Sequence, residues 1–310
     1  MDHSRHTYSQ LIKQKALELG FAECGISQVR ELEEEREPLQ KWLSNQMHGN
    51  MSYMANNLEK RLDPGKLEEG SKSVVSLLIN YFPSQQQVDP TAPIISKYAY
   101  GRDYHFVVRE KLNELLTYIN STISPCQGRG FVDSAPVLER SLAKAAGLGW
   151  IGKHSLLINK YHGSYVFIAE LIIDLELAYD TPFTSDHCGT CTKCIDACPT
   201  QAIVADRVID ATKCISYHTI ENKEEAPASI QVNLENRIYG CDICQDVCPW
   251  NKVITPNKSD DFKPIQGLLE MTKAEWSELS PENYSERFKK TAFERAGYTR
   301  LKRNIDYITK

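Results

Sequence analysis

The chain has 310 residues, enough for one large domain and a smaller one with a substantial core. Hydrophobic residues make up 41% and charged residues 25%, a globular composition that argues against disorder. The net charge of −5 gives no sign that the molecule as a whole binds nucleic acid. No apolar signal region opens the sequence, and acidic residues interrupt its most apolar stretch at 165–179. We therefore expect a soluble cytoplasmic protein with no membrane partner.

The spacing of apolar residues predicts helices and strands that alternate irregularly over the first half of the chain. The predicted helices cover 8–19, 37–47, 105–121 and about 136–146. The predicted strands cover 21–27, 73–82, 129–134, 154–159 and 165–175, the last two joined by a turn at His162–Gly163. This mixture predicts an α/β or α+β domain over 1–178.

The composition changes near Thr181 and again near residue 256. Between these points cysteine, glycine, proline and threonine replace the apolar runs, which predicts a separate module over 179–255. The 256–310 segment has a polar, helical pattern and a basic end. That end has two acidic residues and eight basic ones, which are Arg287, Lys289, Lys290, Arg295, Arg300, Lys302, Arg303 and Lys310. It carries +6, which leaves −11 on the rest of the chain.

Eight of the ten cysteines lie between Cys188 and Cys248. A secreted disulfide scaffold is usually a short chain behind a signal peptide, so clustered cysteines in this chain indicate metal ligands. The first run, over 188–199, has the bacterial ferredoxin spacing C-x2-C-x2-C-x3-C-P. The second run, C-x2-C-x3-C-P over 241–249, lacks its first member. Cys214 supplies that member from across a 26-residue insertion at 215–240.

In two-cluster ferredoxins the fourth cysteine of each run binds the other cluster, and this rule predicts two [4Fe-4S] clusters. The first cysteine group is then Cys188, Cys191, Cys194 and Cys248, and the second cysteine group is Cys198, Cys214, Cys241 and Cys244. The alternative is zinc, which also takes four cysteines but usually as two separate C-x2-C pairs. Cys24 and Cys126 lie outside the pattern and are interpreted as ordinary thiols.

Seven segments resemble the epoxyqueuosine reductase family and follow its order along the chain. They are MSYMANNLEKRLDP, YGRDYH, VDSAPVLER, GLGWIGKHSLLI, CTKCIDACPTQAI, KCISYHTIE and CDICQDVCPWN. The resemblance implies an α+β protein in which an N-terminal α/β cobalamin-binding domain joins a two-cluster ferredoxin-like module, as in the similar reductive dehalogenases. It also implies reduction of epoxyqueuosine to queuosine at the wobble position of tRNA. Longer family members continue into a helical repeat extension, so we expect the tRNA contacts of that extension to be absent here.

The resemblance further implies base-off cobalamin, reached by electrons that pass from an external low-potential donor through the two clusters. The sequence has no Asp-x-His-x-x-Gly segment, which fits a cofactor without a histidine ligand. The implied cofactor contacts fall on Arg61, Tyr98, Asp133, Lys153, His154, Ser155 and Ser216. The other histidines are interpreted as structural or exposed.

Asp133 has two interpretations. As a helix cap, Asp133 or Ser134 would precede a helix with Pro136 in its first turn. The resemblance instead makes Asp133 the catalytic proton donor, because removal of an epoxide oxygen as water requires protons. A carboxyl with a raised pKa would supply one.

The leading hypothesis is therefore a monomeric oxidoreductase that acts on the anticodon stem-loop of tRNA. The basic end of the chain would contact phosphates, although charge runs are usually solvated helix faces. One alternative is a related cobalamin reductase of a small molecule, such as an organohalide. The other is a ferredoxin-type module that carries electrons to a partner, which predicts a purified protein without cobalamin.

Overall fold

The computed structural model describes residues 3–309, which form a mixed helical and β-sheet fold. The helices, several of them short, are α1 (His3–Glu18), α2 (Arg36–Ser44), α3 (Leu58–Leu62), α4 (Pro64–Leu67), α5 (Tyr104–Tyr118), α6 (Glu139–Ala145), α7 (Lys193–Asp196), α8 (Ala228–Gln231), α9 (Ile243–Asp246), α10 (Lys273–Ser277), α11 (Pro281–Arg287), α12 (Phe293–Ala296) and α13 (Tyr298–Thr309). The strands are β1 (Glu23–Gln28), β2 (Ser73–Asn80), β3 (Ile94–Ile95), β4 (Gly128–Phe131), β5 (Trp150–Ile151), β6 (Leu157–Ile158), β7 (Val166–Ile173), β8 (Ile203–Ala205), β9 (Val208–Ile209) and β10 (Arg237–Tyr239). No helix among the described residues is long and apolar enough to cross a membrane.

The main sheet has four strands in the order β1-β2-β7-β4, and every neighbouring pair is antiparallel. Successive side chains of β2 face opposite sides of the sheet. Val75 and Leu77 contact the core formed with α1 and α5, whereas Val74 and Leu78 contact residues of α6. Helices therefore cover both faces of the sheet. Because the pairing is antiparallel, this part of the chain is α+β, and the α/β alternative for it is wrong.

Most predicted elements of the first half are confirmed. The structure has β1, β2 and β7 at the strands predicted for 21–27, 73–82 and 165–175, and α1, α2 and α5 at the helices predicted for 8–19, 37–47 and 105–121. The predicted apolar side of α5 is also correct, since Val108, Leu112 and Leu115 are buried in the core.

The strand predicted at 154–159 is reduced to β6, which pairs with β5 in a short hairpin and not with β7. The side-chain oxygen of Asn159 accepts the backbone N–H groups of Tyr161 (2.8 Å) and His162 (3.1 Å) and so ends the strand. The turn predicted at His162–Gly163 is present, closed by a bridge between Asn159 and Gly163.

The 256–310 segment is helical, as its pattern predicts, but it packs into a core shared with earlier parts of the chain. Trp276, Phe288 and Phe293 are buried in contact with a cluster that also contains Tyr100 and Tyr239. The segment is therefore a packed part of the fold. The domain boundaries at 178 and 255 stay predictions.

The insertion at 215–240 is closed at its base by α13. Asn304 is fully buried and donates hydrogen bonds to the carbonyls of Thr219 (2.8 Å) and Ile238 (2.9 Å). The Thr219 hydroxyl also accepts the backbone N–H of Gly240 (3.0 Å). These bonds hold together the two ends of the insertion, which follow Cys214 and precede Cys241.

Candidate active site and cysteine cavity

The first cysteine group comes together around one cavity. Its four cysteines enclose a space of about 240 Å³ whose wall also includes Lys153, His154 and Trp250. Cys194 lies in α7, Cys248 follows α9, and these two short helices pack against each other. The structure thus places Cys248 beside the run at 188–194, to which the crossing rule assigns it.

The thiols of the second cysteine group lie within electrostatic reach of one another. Burial raises the pKa of Cys241 to about 12, and the charge of Cys214 adds to the rise. Burial also raises the pKa of Cys214, which the charge of Cys198 raises further. The pKa of Cys244 is raised by burial and then by Cys241, Cys214 and, more weakly, Cys194. Because Cys194 belongs to the first cysteine group, the two groups are neighbours.

The first cysteine group surrounds a space larger than a single ion. In a zinc site each sulfur lies about 2.3 Å from one central ion, which leaves no such cavity. Among residues 3–309, no three His, Cys, Asp or Glu side chains converge closely enough to hold one metal ion. The cavity therefore suits a bulkier group with several metal atoms.

Aromatic side chains surround this cavity. Trp150 is buried, and the centroid of its ring lies 4.8 Å from that of Trp250 and 4.9 Å from that of His187. Trp150 also packs against Cys248. Within the described chain, Nε1 of Trp150 and Nε2 of His154 are buried without a hydrogen-bond partner. The aromatic side of the cavity is therefore apolar, with two ring nitrogens that no described group satisfies.

Asp133 lies in the loop between β4 and α6 with a left-handed backbone, at a φ of 50°. Its carboxylate accepts a hydrogen bond from the Tyr104 hydroxyl. The same oxygen is 3.6 Å from Nε2 of His105 and 3.9 Å from Nη1 of Arg295. The Asp133 side chain is half exposed, at 51%. Residues from α5 and α12 thus converge on a carboxylate that solvent and ligands can reach.

The capping interpretation of Asp133 and Ser134 is wrong. α6 begins at Glu139, and its N-cap residue Leu138 makes no side-chain capping bond. Instead, the Ser134 hydroxyl accepts a hydrogen bond from Arg109 (2.8 Å). The backbone N–H of Asp133 donates to Oε1 of Glu139 (2.6 Å). Two side chains from α5 and α6 therefore position this loop, and residues 136–138 do not extend the helix.

Hydrogen bonding determines which groups at Asp133 carry protons. Burial alone would raise the pKa of Asp133, but hydrogen bonds from His105 and Tyr104 and the charges of His105 and Arg295 lower it. Burial would lower the pKa of His105, but its interactions with Asp103 (2.8 Å) and Asp133 outweigh burial and raise it to about 9. The expectation of a raised pKa at Asp133 is therefore wrong. At neutral pH the proton resides on His105, between two carboxylates.

Glu139 is a second acid next to Asp133. Burial, followed by the negative charge of Asp133, raises the pKa of Glu139 to about 8. At neutral pH a charged Asp133 therefore lies beside a neutral Glu139 and a positive His105. Neighbouring titratable groups whose pKa values are separated in this way are typical of acid–base sites.

A turn at Lys153–Ser155 connects the Asp133 loop to the cysteine cavity. Arg140 of α6 donates a hydrogen bond to the carbonyl of Ser155. Ser155 has a φ of 65°, and its hydroxyl donates to the carbonyl of Arg207 (2.5 Å). Nζ of Lys153 pairs with Asp206 (3.3 Å) while the residue lines the cavity. One side of the turn therefore contacts α6 and the other side faces the cysteines.

Of the predicted cofactor contacts Arg61 and Tyr98, Tyr98 lies near Asp133, whereas within residues 3–309 Arg61 is linked to Asp133 only through Tyr53. Arg61 is buried, and its Nη2 donates to the carbonyl of Tyr53 (3.1 Å). Its Nε is buried without a partner among the described residues. The hydroxyl of Tyr53 is within electrostatic reach of both Asp133 and Arg61. Tyr98 is also within electrostatic reach of Asp133, and its ring lies 6.1 Å from that of Tyr104.

Ser216, the remaining predicted contact, lies two residues after Cys214 and precedes a π-helical turn at Tyr217–Glu221. The next residue, Tyr217, holds this turn against the 49–50 loop, because its hydroxyl accepts the backbone N–H of Asn50 (2.8 Å). Gly49 has a φ of 56°, and a Cβ there would lie 2.5 Å from the Tyr217 hydroxyl oxygen. Only glycine fits this close approach. The second cysteine group is thereby tied to the N-terminal part of the chain.

Sequence reasoning missed Tyr104, His105 and Glu139 as site residues. All three lie in the segments YGRDYH and VDSAPVLER, so these segments were recognised without the roles of the residues. The signal that could have identified His105 is its position two residues after Asp103, whose carboxylate accepts the backbone N–H of His105 at the start of α5.

Several basic residues near the C-terminus are occupied within the fold. Arg303 donates to the carbonyls of His218 (2.8 Å) and Asn222 (3.1 Å). Lys302 donates to the carbonyl of Ser277 (2.6 Å). These two side chains therefore stabilise the protein, and their replacement would test more than phosphate binding. Lys310 lies outside the described residues.

Comparison with known proteins identifies two regions. Residues 61–134 match the family model described as epoxyqueuosine reductase QueG, DUF1730. Residues 187–251 match the model described as a 4Fe-4S double cluster binding domain. Asp133 lies in the first region and all eight clustered cysteines lie in the second, so the two matches cover the two ends of the site, Asp133 and the cysteine groups.

Relatives and solved structures match nearly the whole chain. An epoxyqueuosine reductase of Cellulophaga algicola is 52% identical over 306 residues, which cover 99% of each chain. A crystal structure of epoxyqueuosine reductase with an epoxyqueuosine-modified tRNA-Tyr stem-loop has a TM-score of 0.90 at 28% identity, covering 97% of this chain and 80% of that one. A Bacillus subtilis epoxyqueuosine reductase with its aspartate catalytic loop swung out of the active site has a TM-score of 0.89 at 28% identity, covering 97% and 81%.

Proposed function

Because the chain belongs to the epoxyqueuosine reductase family, we propose that it reduces epoxyqueuosine to queuosine at the wobble position of tRNA, the last step of queuosine synthesis. The observation that carries this proposal is the identity of 52% over nearly the full length of a relative with that activity in its name. The reaction converts an epoxide into an alkene and water, so it consumes two electrons and two protons. The Asp133 loop would meet the proton requirement, and the two cysteine groups would meet the electron requirement.

The proton requirement falls on the Asp133 end. His105 carries a proton at neutral pH and lies 3.6 Å from the Asp133 carboxylate, which is half exposed. Asp133 is the group that reaches the substrate, and His105 supplies one of the two protons, which passes through Asp133 to the departing oxygen. Solvent water, which reaches the half-exposed carboxylate, supplies the other proton, so the oxygen leaves as water. Tyr104 and Arg295 hold the carboxylate in place. The aspartate loop of the Bacillus subtilis relative supports a catalytic role for Asp133.

The electron requirement falls on the two cysteine groups, each of which would hold one [4Fe-4S] cluster. The cavity between the four cysteines of the first group and the match of residues 187–251 to a 4Fe-4S double cluster domain support iron–sulfur clusters over two zinc sites. An external low-potential donor would reduce the clusters. The proximity of Cys194 to Cys244 gives electrons a short path between the two groups.

Cobalamin would lie between these two ends. Bound there in its base-off form, it would supply a low-valent cobalt that passes electrons to the epoxide. Arg61 has a buried Nε without a partner among the described residues, a donor suited to the phosphate or amide groups of that cofactor. Tyr98, Ser155 and Ser216 would form further parts of the binding surface. His105 would not serve as a lower ligand, because it is held between Asp103 and Asp133.

The tRNA stem-loop would dock on the positive groups around Asp133. Arg109 contacts the loop at Ser134, and Arg295 lies 3.9 Å from Asp133. The exposed Lys290 is adjacent, since its carbonyl accepts the N–H of Asp103 (2.8 Å). Phosphate contacts position a nucleic acid without reading its sequence. The structure with a modified stem-loop supports this kind of partner.

The direct experiment is anaerobic reconstitution with iron, sulfide and cobalamin, followed by assay on a stem-loop that contains epoxyqueuosine. We expect mass spectrometry of the digested RNA to show queuosine. Failure to convert the substrate, by protein that holds both clusters and cobalamin, would contradict the proposal. Conversion of an organohalide but not of the stem-loop would favour the small-molecule reductase, and a protein that takes up no cobalamin would favour the electron carrier.

A further inference from the structure

A buried imidazole in the wall of the first cysteine group's cavity has one ring nitrogen without a partner among the described residues. His154 is 3% exposed and forms part of the cavity wall. Its Nδ1 accepts the backbone N–H of Leu156 (3.2 Å), so the neutral ring carries its proton on Nε2. Within the described chain, Nε2 has no acceptor. Because buried N–H groups are nearly always hydrogen-bonded, this one indicates an acceptor in the cavity that the chain does not provide.

The charged groups on the cavity wall cannot fill that role. Lys153 and Lys193 are hydrogen-bond donors, and Lys153 is already paired with Asp206 (3.3 Å). An iron–sulfur cluster presents sulfur atoms, which accept hydrogen bonds. Hydrogen bonds to these sulfurs are one of the factors that set the reduction potential of a cluster. A donor withdraws electron density from the sulfur and stabilises the reduced, more negative state.

We propose that the Nε2–H of His154 donates a hydrogen bond to a sulfur of the cluster on the first cysteine group and thereby raises the reduction potential of that cluster. The inference rests on the proposed clusters. In this proposal His154 adjusts the reduction potential of a cluster. The family resemblance alone associates this residue with cobalamin. In the second cysteine group, Cys198 accepts a backbone N–H, from Ala202 (3.3 Å).

The test is a potentiometric titration of the reconstituted full-length protein, followed by EPR of the reduced clusters. In His154→Leu we expect one of the two reduction steps to move to lower potential and the other to stay in place. A tenfold change in the ratio of oxidised to reduced cluster at a fixed potential corresponds to about 59 mV for one electron, and we expect a shift of about this size. Cys248→Ser, which should lack the first cluster, identifies the step that belongs to it.

Two further variants separate hydrogen bonding from simple loss of packing. His154→Gln retains an N–H donor and should keep the step near its wild-type potential. His162→Gln should change neither step, because His162 pairs with Glu23 and is not part of the cavity wall. If His154→Leu fails to hold the cluster, His154→Gln decides: a wild-type potential supports the proposal and a lowered one contradicts it.

A full iron content in His154→Leu with both steps at wild-type potentials would overturn the role of His154 and leave the clusters intact. Wild-type protein that binds no iron under the same conditions would instead overturn the proposed function. The iron measurement on the same samples therefore distinguishes the two failures.

Discussion

The cysteine cavity and the Asp133 loop differ in burial and in charge. The cavity wall includes His154, which is 3% exposed. Trp150, which packs against Cys248, is 2% exposed. The Asp133 carboxylate is half exposed and lies among groups that exchange protons near neutral pH. Apolar, buried surroundings limit the solvent rearrangement that accompanies movement of an electron. Protons and a polyanionic RNA require an open, polar surface. The difference indicates that electrons and protons reach the substrate from opposite sides.

The largest expected effect is at the cysteine end. Cys248→Ser should lower the iron content from about eight to about four atoms per chain, because the substitution removes a ligand from only the first of the two four-iron clusters. Epoxide reduction should then be undetectable. Iron analysis and the visible spectrum of anaerobically reconstituted protein test this.

Cys126→Ser is the matched control, since Cys126 is also buried but lies outside both cysteine groups. An unchanged iron content in Cys248→Ser would refute the crossed assignment of ligands.

The next largest effect is at Asp133 and leaves the cysteine groups unchanged. Asp133→Asn should retain both clusters and cobalamin but slow epoxide reduction by about 10²–10⁴-fold, the usual contribution of a general acid. An amide still accepts the hydrogen bond from Tyr104 but cannot relay a proton. Single-turnover assays on the modified stem-loop measure this decrease. Turnover near the wild-type rate would remove Asp133 from catalysis.

The pH dependence of protein stability directly tests the charged side chains around Asp133. The pKa of His105 is raised from 6.5 to about 9 in the fold, so its stabilising contribution is present below pH 6.5 and is lost as the pH rises through 9. His105→Gln should therefore be about 1–3 kcal/mol less stable than wild type near pH 6, and about equally stable near pH 10. Denaturant unfolding at the two pH values gives the difference.

Glu139 titrates in the same range and in the same direction, because its pKa is also raised, to about 8. The charge of His105 also acts on Glu139 and Asp133, so the comparison reports the loss of His105 together with its effect on these two carboxyl groups. A stability difference that does not change with pH would show that His105 carries no extra proton in the fold.

The smallest expected effect concerns the RNA. Lys289→Ala with Lys290→Ala should weaken binding of the stem-loop and reduce the slope of log affinity against log salt by about 0.7–0.9 for each phosphate that the protein no longer neutralises. Both lysines are exposed and lie next to the Asp103 backbone contact. Lys15→Ala with Lys41→Ala, on α1 and α2, makes the same charge change elsewhere and should leave the slope unchanged. An unchanged slope in the first pair would place the RNA surface elsewhere.

The cysteine groups and the Asp133 loop also differ in how much of each can be predicted from the sequence. Ligand spacing is local, so the run at 188–199 was enough to predict cluster binding, and the structure places Cys248 where the crossing rule assigns it. The environment of Asp133 is not local. Tyr104 and His105 reach it only because α5 packs against the sheet, and Arg295 comes from much later in the chain. Their effect on the pKa of Asp133 therefore could not be predicted.

Periodicity succeeded where burial dictates the pattern and failed where side chains compete with the backbone. The buried runs of β2 and β7 were predicted correctly, whereas the helix predicted at 136–146 begins only at Glu139. That residue and Arg109 instead hold the preceding loop. Arg303 illustrates a related limit, because its contacts with backbone carbonyls cannot be distinguished from a solvated charge by sequence alone.

The most direct test of separate electron and proton delivery follows the oxidation state of the clusters while substrate is present. Protein with reduced clusters and bound cobalamin is mixed anaerobically with the epoxyqueuosine stem-loop, and cluster absorbance and queuosine are measured together. We predict that wild-type clusters reoxidise with two electrons consumed per queuosine formed, and that Asp133→Asn binds the stem-loop while its clusters stay reduced. Reoxidation of Asp133→Asn at the wild-type rate, with queuosine formed, would contradict the separation of electron and proton delivery.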